Sequence, residues 1–408
     1  MACCPIECCP ISIKTENYPT ICKNPILVTT NPQPQMKPLS IFSALRCVAA
    51  FLALTLPAMA QTTTREKGGL DATGPYRVVE NWFKPGVENW NQPVTGVAVD
   101  NPNRIFVVSS GQQITEPGSL ILGPDGATLN PVRNFTPPPI LNPTHEHLIL
   151  VLNADGKVVE DWSQWNNDVM LPHSVILDPR DPERHVWVVD REGDQILKFT
   201  NDGKKLVLRI GEKGVPGTDH SHFNWPSSLL IMPDGSFYVT DGYHNTRVVK
   251  FDKKGNYLME WGTKGNGPGQ FNLIHDIAVD AQHRIYVADR GNNRVQIFRE
   301  DGKFLDQWPN IPNPSHFLIM RDGTLWLVSG AGNRLARFGL NGKLITYWGM
   351  YGRGAGNFDD PHTIDVDSAG NLYVVEVFNN RVEKFVPREG ADKTRLVGKK
   401  FILKGGLK

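Results

Sequence analysis

One pattern recurs along the chain and limits its fold more than any other feature. "HVWVVDREGDQILKFTNDGKKLVLRIG" begins at His185, "SFYVTDGYHNTRVVKFDKKGNYLMEWG" at Ser236 and "RIYVADRGNNRVQIFREDGKFLDQW" at Arg284. "TLWLVSGAGNRLARFGLNGKLITYWG" follows from Thr324, and "NLYVVEVFNNRVEKF" from Asn371. Each unit reads apolar strand, polar turn, strand, in most cases an Asp-Gly or Asn-Gly type turn, then a third strand. Alternation of apolar and polar residues within short runs is the mark of a half-buried strand. A further apolar strand precedes each unit: "SVILD", "SLLIM", "DIAVD", "FLIM" and "TIDVD".

Four strands per repeat at a period of 40–54 residues describe the blades of a β-propeller. "TGVAVDNPNRIFVVSSG" from Thr95 opens one earlier blade, and its last two strands return as "HLILVLNADGKVVEDW" after a long insertion. The inner strand therefore occurs six times. The last blade has a weak outer strand, whereas "YRVVENWF" at Tyr76–Phe83 resembles an outer strand but precedes the first inner one. The expected fold is all-β, a six-bladed propeller over residues 76–390 whose ring is closed by this N-terminal outer strand.

The residue just ahead of each inner strand is, in order, Thr95, His173, Ser227, His275, Ser315 and His362. Histidine occupies every second blade. Blades in a six-bladed ring stand about 60° apart, and all inner strands line the central channel. Three imidazoles are thus expected to converge on the axis with threefold symmetry. Three histidine nitrogens with a fourth position open suit catalytic zinc. Imidazole also suits copper, iron or nickel, so the residues alone leave the element open. The bland reading is that the rings merely plug the channel; their alternation at equivalent positions argues for a metal. His145 and His147, in "HEH", fall on one face if that segment is extended, but they lack a third partner.

The turn after each second strand returns to the histidine face. These turns hold Ser109 and Ser110, Arg191, Tyr243, Arg290, Gly330, and Val377 with Phe378. Tyr243 lies in a turn one residue longer than that of the next blade, which pushes it inward. Arg290 is placed to hold an anion. Pairs such as Asn293-Arg294 and Asn380-Arg381 recur in most blades and read as structural ties. Tyr243 and Arg290 do not recur, so they are the candidate catalytic residues.

Outside the ring, Lys37 and Arg46, an apolar run from Cys47 to Leu56 and Ala58-Met59-Ala60 follow the order of a secretory signal peptide. Residues 36–60 are assigned to it, with cleavage after Ala60, 61–75 to a linker and 391–408 to a C-terminal tail. The apolar run is short for a bilayer crossing. The chain is expected to be exported, periplasmic or secreted. Residues 1–35 contain Cys3, Cys4, Cys8, Cys9 and Cys22; they read as sequence upstream of a working start at Met36, with a metal-binding leader as the alternative. The sixth cysteine, Cys47, falls within the signal peptide, so the mature chain has none and cannot rely on disulfides. With 43 Lys+Arg against 42 Asp+Glu, no basic surplus points to nucleic acid. The expected partner is a small-molecule or peptide substrate, and the expected state is a monomer.

Several segments, "LPHS", "PGTDHSHF", "DGYHNTRVVKF", "PGQFNLIHDIAV", "VADRGNNRVQIF" and "FDDPHTI", give the chain a resemblance to the NHL-repeat propellers. Most closely it resembles the peptidyl-α-hydroxyglycine α-amidating lyases, also called peptidylamidoglycolate lyases. The resemblance implies a zinc site of His173, His275 and His362, an essential tyrosine at Tyr243 and an active-site arginine at Arg290. It implies cleavage of a peptidyl-α-hydroxyglycine to an amide and glyoxylate. Zinc would act as Lewis acid on the carbinol hydroxyl, Tyr243 as base, and Arg290 as a two-pronged holder of the carboxylate. There are departures. The family's first-blade arginine falls near Ser110, its methionine beside the third zinc histidine at Asp360, and the acidic residue tied to a structural calcium at Thr363. A second, calcium site is therefore expected only by analogy. Two other readings stay open: a non-catalytic propeller binding a peptide or cell-envelope ligand around a structural metal, and a metal hydrolase like the six-bladed lactonases. Calcium's preference for oxygen ligands argues against the last.

Overall fold

The computed structural model describes residues 72–88, 90–111 and 145–405. The signal peptide, the leader and most of the first-blade insertion lie outside the described residues. Within them stand six four-stranded antiparallel sheets. Their inner strands are Val94–Asn101, Pro172–Leu177, Ser228–Ile231, Ile274–Val279, Pro314–Ile319 and Pro361–Val366. Closure takes the expected form. Tyr76–Val79 pairs antiparallel with Arg381–Pro387, so the last blade takes its outer strand from the start of the ring. Among the described residues no helix is long and apolar enough to cross a membrane.

The core is not one mass but six, each wedged between neighbouring blades. Ala98, Phe106 and Val108 of blade 1 pack on Val175, Val186 and Val188 of blade 2. Trp326, Leu335 and Trp348 of blade 5 pack on Tyr76, Ile364 and Phe385 of blade 6. Strand alternation dictates this arrangement. A blade has two apolar faces, and each must be covered by a neighbour. The Asp-Gly type turns fit the same logic. Gly302 (φ +78°) lies flat on Trp261 of the preceding blade, where a Cβ would come within 2.9 Å of the indole, and Gly342 (φ +78°) lies likewise on Trp308. A side chain there would be strained by the backbone and blocked by the ring.

The recurrent arginines are structural, as expected. The Arg294 Nε donates to Asp289 (2.6 Å), and its other nitrogens donate to the main-chain oxygens of Asn266, Gly267 and Gln270. Arg247 does the same with Asp241, Thr218, Asp219 and His222, and Arg381 with Glu376, Arg353, Gly354 and Asn357. Each ties the loop that enters a blade to that blade's own strands. Residues of the 392–405 segment also pack on the ring. Val397 and Leu403 are buried, the Val397 N–H donates to Tyr76 Oη (2.7 Å) and the Phe401 N–H to the Ile319 carbonyl (2.7 Å). The Lys400 ammonium reaches Asp365 Oδ1 at 2.6 Å.

Candidate metal centre

His173, His275 and His362 meet at the channel axis. Their ring centroids form a nearly equilateral triangle with sides of 4.8, 4.6 and 4.8 Å. The rings stand edge to face, at 68°, 80° and 84°, like the blades of a smaller propeller. All three are buried, and their ligand atoms lie within 4.8 Å of one another.

Hydrogen bonds fix which nitrogen faces the axis. His173 Nδ1 lies 2.6 Å from the Ser227 carbonyl oxygen, His275 Nδ1 2.7 Å from that of Ser315, and His362 Nδ1 2.6 Å from that of Thr95. A carbonyl only accepts, so every Nδ1 carries the proton. Every Nε2 is then a bare lone pair in the neutral ring. Burial also drives the rings to the neutral form. It pushes His173 and His275 well below the ordinary histidine range and His362 down to about 3, with neighbouring charges from Arg290, Arg191 and the other imidazoles acting in the same direction. The consequence is an unsatisfied cluster. His362 Nε2 and His275 Nε2 lie 3.2 Å apart with no proton to share. Tyr243 Oη sits 3.0 Å from His173 Nε2 and 3.1 Å from His275 Nε2, but its single hydroxyl proton can serve only one of them. Three converging lone pairs in a buried place call for a cation, and neutral imidazoles with backed Nδ1–H groups are the ligands that zinc and its neighbours take.

Tyr243 comes over the cluster because of its turn. Its N–H donates to the Trp225 carbonyl (3.1 Å). Gly242 before it passes so close to the next blade that a Cβ would stand 1.9 Å from the Ile274 oxygen. The extra residue in this loop thus swings the phenol onto the axis. Arg290 opens the turn of blade 4, half-buried, and its charge acts on all three histidines and on Asp360. Asp360 is buried, with its backbone at φ +56°. Burial raises its carboxyl, and Arg290 opposes the rise.

Other expectations fare differently. His147 has φ +56° and its ring bonds to Asp161 Oδ2 (2.5 Å), while His145 bonds to the Met170 carbonyl (3.0 Å). "HEH" is therefore not extended there, and neither ring is aimed at a shared ion. Among the described residues the axial histidines are the one group placed to hold a metal. Nothing equivalent forms around Thr363, whose hydroxyl is buried without a partner, so the calcium expectation gains no support. Sequence reasoning placed Arg191 on this face but passed over it. Its guanidinium lies 4.8 Å from the Trp225 ring centroid and 5.0 Å from that of Tyr243. The available signal was its place, the same turn that carries Tyr243 and Arg290 in the next two blades. The three carbonyls behind the histidines were also missed, because main-chain partners leave no mark in residue identity.

This is a six-bladed β-propeller with three histidines on its axis. Residues 218–307 match a family described as a 6-bladed beta-propeller. Human NHL repeat-containing protein 3 is 31% identical over 259 residues, covering 59% of this chain and 72% of that protein; the chain belongs to the NHL-repeat family. It is also similar to rat peptidylglycine alpha-amidating monooxygenase, 28% identical over 337 residues, which cover 78% of this chain. It spans 33% of that relative's length. Drosophila peptidyl-alpha-hydroxyglycine alpha-amidating lyase 1 is 31% identical over 276 residues, 60% of this chain and 50% of that protein. A gluconolactonase of Xanthomonas campestris, 13% identical, shares the fold with a TM-score of 0.50 over 80% of this chain and 99% of its own.

Proposed function

We propose that the chain is an exported, zinc-dependent carbon–nitrogen lyase that cleaves a peptidyl-α-hydroxyglycine, or a close analogue, to an amide and glyoxylate. The observation that carries this reading is the Tyr243 hydroxyl standing 3.0 and 3.1 Å from two of three converging Nε2 lone pairs. A merely structural metal needs no phenol beside it. The name of the Drosophila relative points to the same chemistry, and that of the rat relative to peptide α-amidation more broadly.

His173, His275 and His362 would hold the ion, which would supply a Lewis acid for the substrate hydroxyl. Tyr243 is within reach of that hydroxyl's proton and, having given up its own proton beside the cation, would take it as general base. As the carbon–oxygen double bond of glyoxylate forms, the carbon–nitrogen bond breaks. The amide nitrogen leaves with the electron pair and regains a proton, so none is gained or lost overall. Carbonyls behind each Nδ1 keep the imidazoles in one tautomer and orientation through the cycle. The two guanidinium groups of Arg191 and Arg290 favour an anionic substrate.

The test joins metal analysis of the purified chain with an assay for glyoxylate from an α-hydroxyglycine peptide. The reading expects about one zinc per chain and stoichiometric glyoxylate and amide. Bound metal without any glyoxylate would leave a binding propeller with a structural ion instead.

A further inference from the structure

Two arginines lie on the histidine face, and their surroundings differ. Arg290 opens the turn of blade 4 and is half-buried. Arg191 lies against the faces of Trp225 and Tyr243. Its Nη2 meets Glu192 Oε1 at 3.1 Å, yet its Nε is buried without any hydrogen-bond partner. Buried guanidinium N–H groups are rarely left so, and a bound ligand is a common reason for the exception. The Arg191 N–H donates to the Leu171 carbonyl (2.9 Å), two residues ahead of His173, which couples the side chain's position to the metal cluster. Stacking on an aromatic face leaves the edge of the fork free for a planar anion. The matching turn of blade 1 carries Ser110 in place of a cation.

We propose that Arg191, from blade 2, is the residue that receives the substrate's carboxylate, holding it across the Tyr243 ring from the metal ligands. Arg290 then contributes to the general positive field rather than gripping the substrate. The identity of the carboxylate as that of a hydroxyglycine rests on the lyase reading; the binding of a carboxylate by Arg191 does not. An acyl-glycine acid should enter this site far better than its ester, because the ester cannot accept a paired, charge-assisted bond.

Titration calorimetry of the metal-loaded full chain with N-benzoylglycine and its methyl ester tests this, since neither carries the reacting hydroxyl. The wild type is expected to bind the acid about ten- to a hundredfold more tightly than the ester. Arg191→Ala should bring the two to near equality, and Arg191→Lys should restore only part of the preference, having charge but no fork. Arg290→Ala should keep most of it. Glu192→Gln, which frees Nη2 without disturbing the stacked rings, should tighten the acid a few-fold and guards against an Arg191 variant that fails to fold. An Arg191→Ala protein with the wild-type preference, or a wild type with no preference, would overturn the proposal. If the preference follows Arg191 but no glyoxylate appears from a hydroxylated peptide, the lyase reading falls and the carboxylate site stands.

Discussion

Blades 2, 4 and 6 present a histidine where blades 1, 3 and 5 present threonine or serine, on otherwise equivalent strands. The histidine side chains go to the axis. The hydroxyl residues stay at the wall and lend their carbonyls to the neighbouring Nδ1–H groups. Their own hydroxyls turn sideways. Thr95 Oγ1 donates to the Pro172 carbonyl (2.6 Å) and Ser227 Oγ to that of Ile274 (3.0 Å), the residue just before the next histidine in each case. Ser315 departs from the pattern and bonds to Asn313 instead. The difference shows how a sixfold ring builds a threefold site. Half the blades supply imidazoles and the other half hold those imidazoles in one tautomer. A fourth imidazole at the axis would have no room within a triangle with sides of 4.8, 4.6 and 4.8 Å.

The strongest attempt to break the comparison is His275→Ala. It removes one of three protein ligands, and zinc is expected to fall below detection after dialysis, read by elemental analysis. Retention of the metal would mean that the alternation has no bearing on ion binding. Tyr243→Phe comes next. It deletes the hydroxyl and keeps the ring on which Arg191 stacks, so metal content should be unchanged while kcat drops about a hundred- to ten-thousandfold. Equal turnover in the two proteins would remove Tyr243 from the chemistry and leave the histidines as a structural clasp.

Two arginines four residues apart in blade 4 offer the same contrast on a smaller scale. Arg294 is buried against Asp289, a fully buried acid, and ties down the entering loop. Arg294→Ala strands that acid, and the loss of one partner of such a pair costs about 3–5 kcal/mol, read by urea unfolding. Arg290 has no such duty. Arg290→Ala should leave the unfolding midpoint in place and raise KM instead. Destabilisation by both would make Arg290 one more tie of the repeat.

Most of this was readable from residue types because the repeat is rigidly periodic. Strand alternation gave the blades, and the stray "YRVVENWF" gave the closure. Three histidines at matched offsets gave the axis, since position within a blade translates directly into position around the channel. What stayed hidden was of another kind. The carbonyls of Thr95, Ser227 and Ser315 have no side-chain signature. Arg191 looked like one more polar turn residue until its guanidinium was seen against Tyr243. The packing of Val397, Lys400 and Leu403 under the ring depends on where the chain returns in space, and the segment has no periodicity to announce it. "HEH" was set aside for want of a third partner, and the left-handed backbone at His147 shows that the segment is not extended there.

The finest test separates carbonyl from hydroxyl within the supporting blades. Ser227→Ala deletes bonds to Thr240 Oγ1 (2.8 Å) and to the Ile274 oxygen (3.0 Å), and a buried hydrogen bond of this kind is worth about 1 kcal/mol to stability. It leaves untouched the main-chain oxygen that accepts from His173 Nδ1. Loss of a second-sphere partner weakens metal binding about ten- to a hundredfold, but alanine retains that partner, so the zinc affinity should fall less than tenfold. A drop into the range of a lost second-sphere contact would mean that the hydroxyl, by holding Ile274 in place ahead of His275, shapes the site as strongly as the carbonyl does. The odd-numbered blades would then act through their side chains, and the serine and threonine at these positions would be required for metal binding rather than merely small enough to permit it.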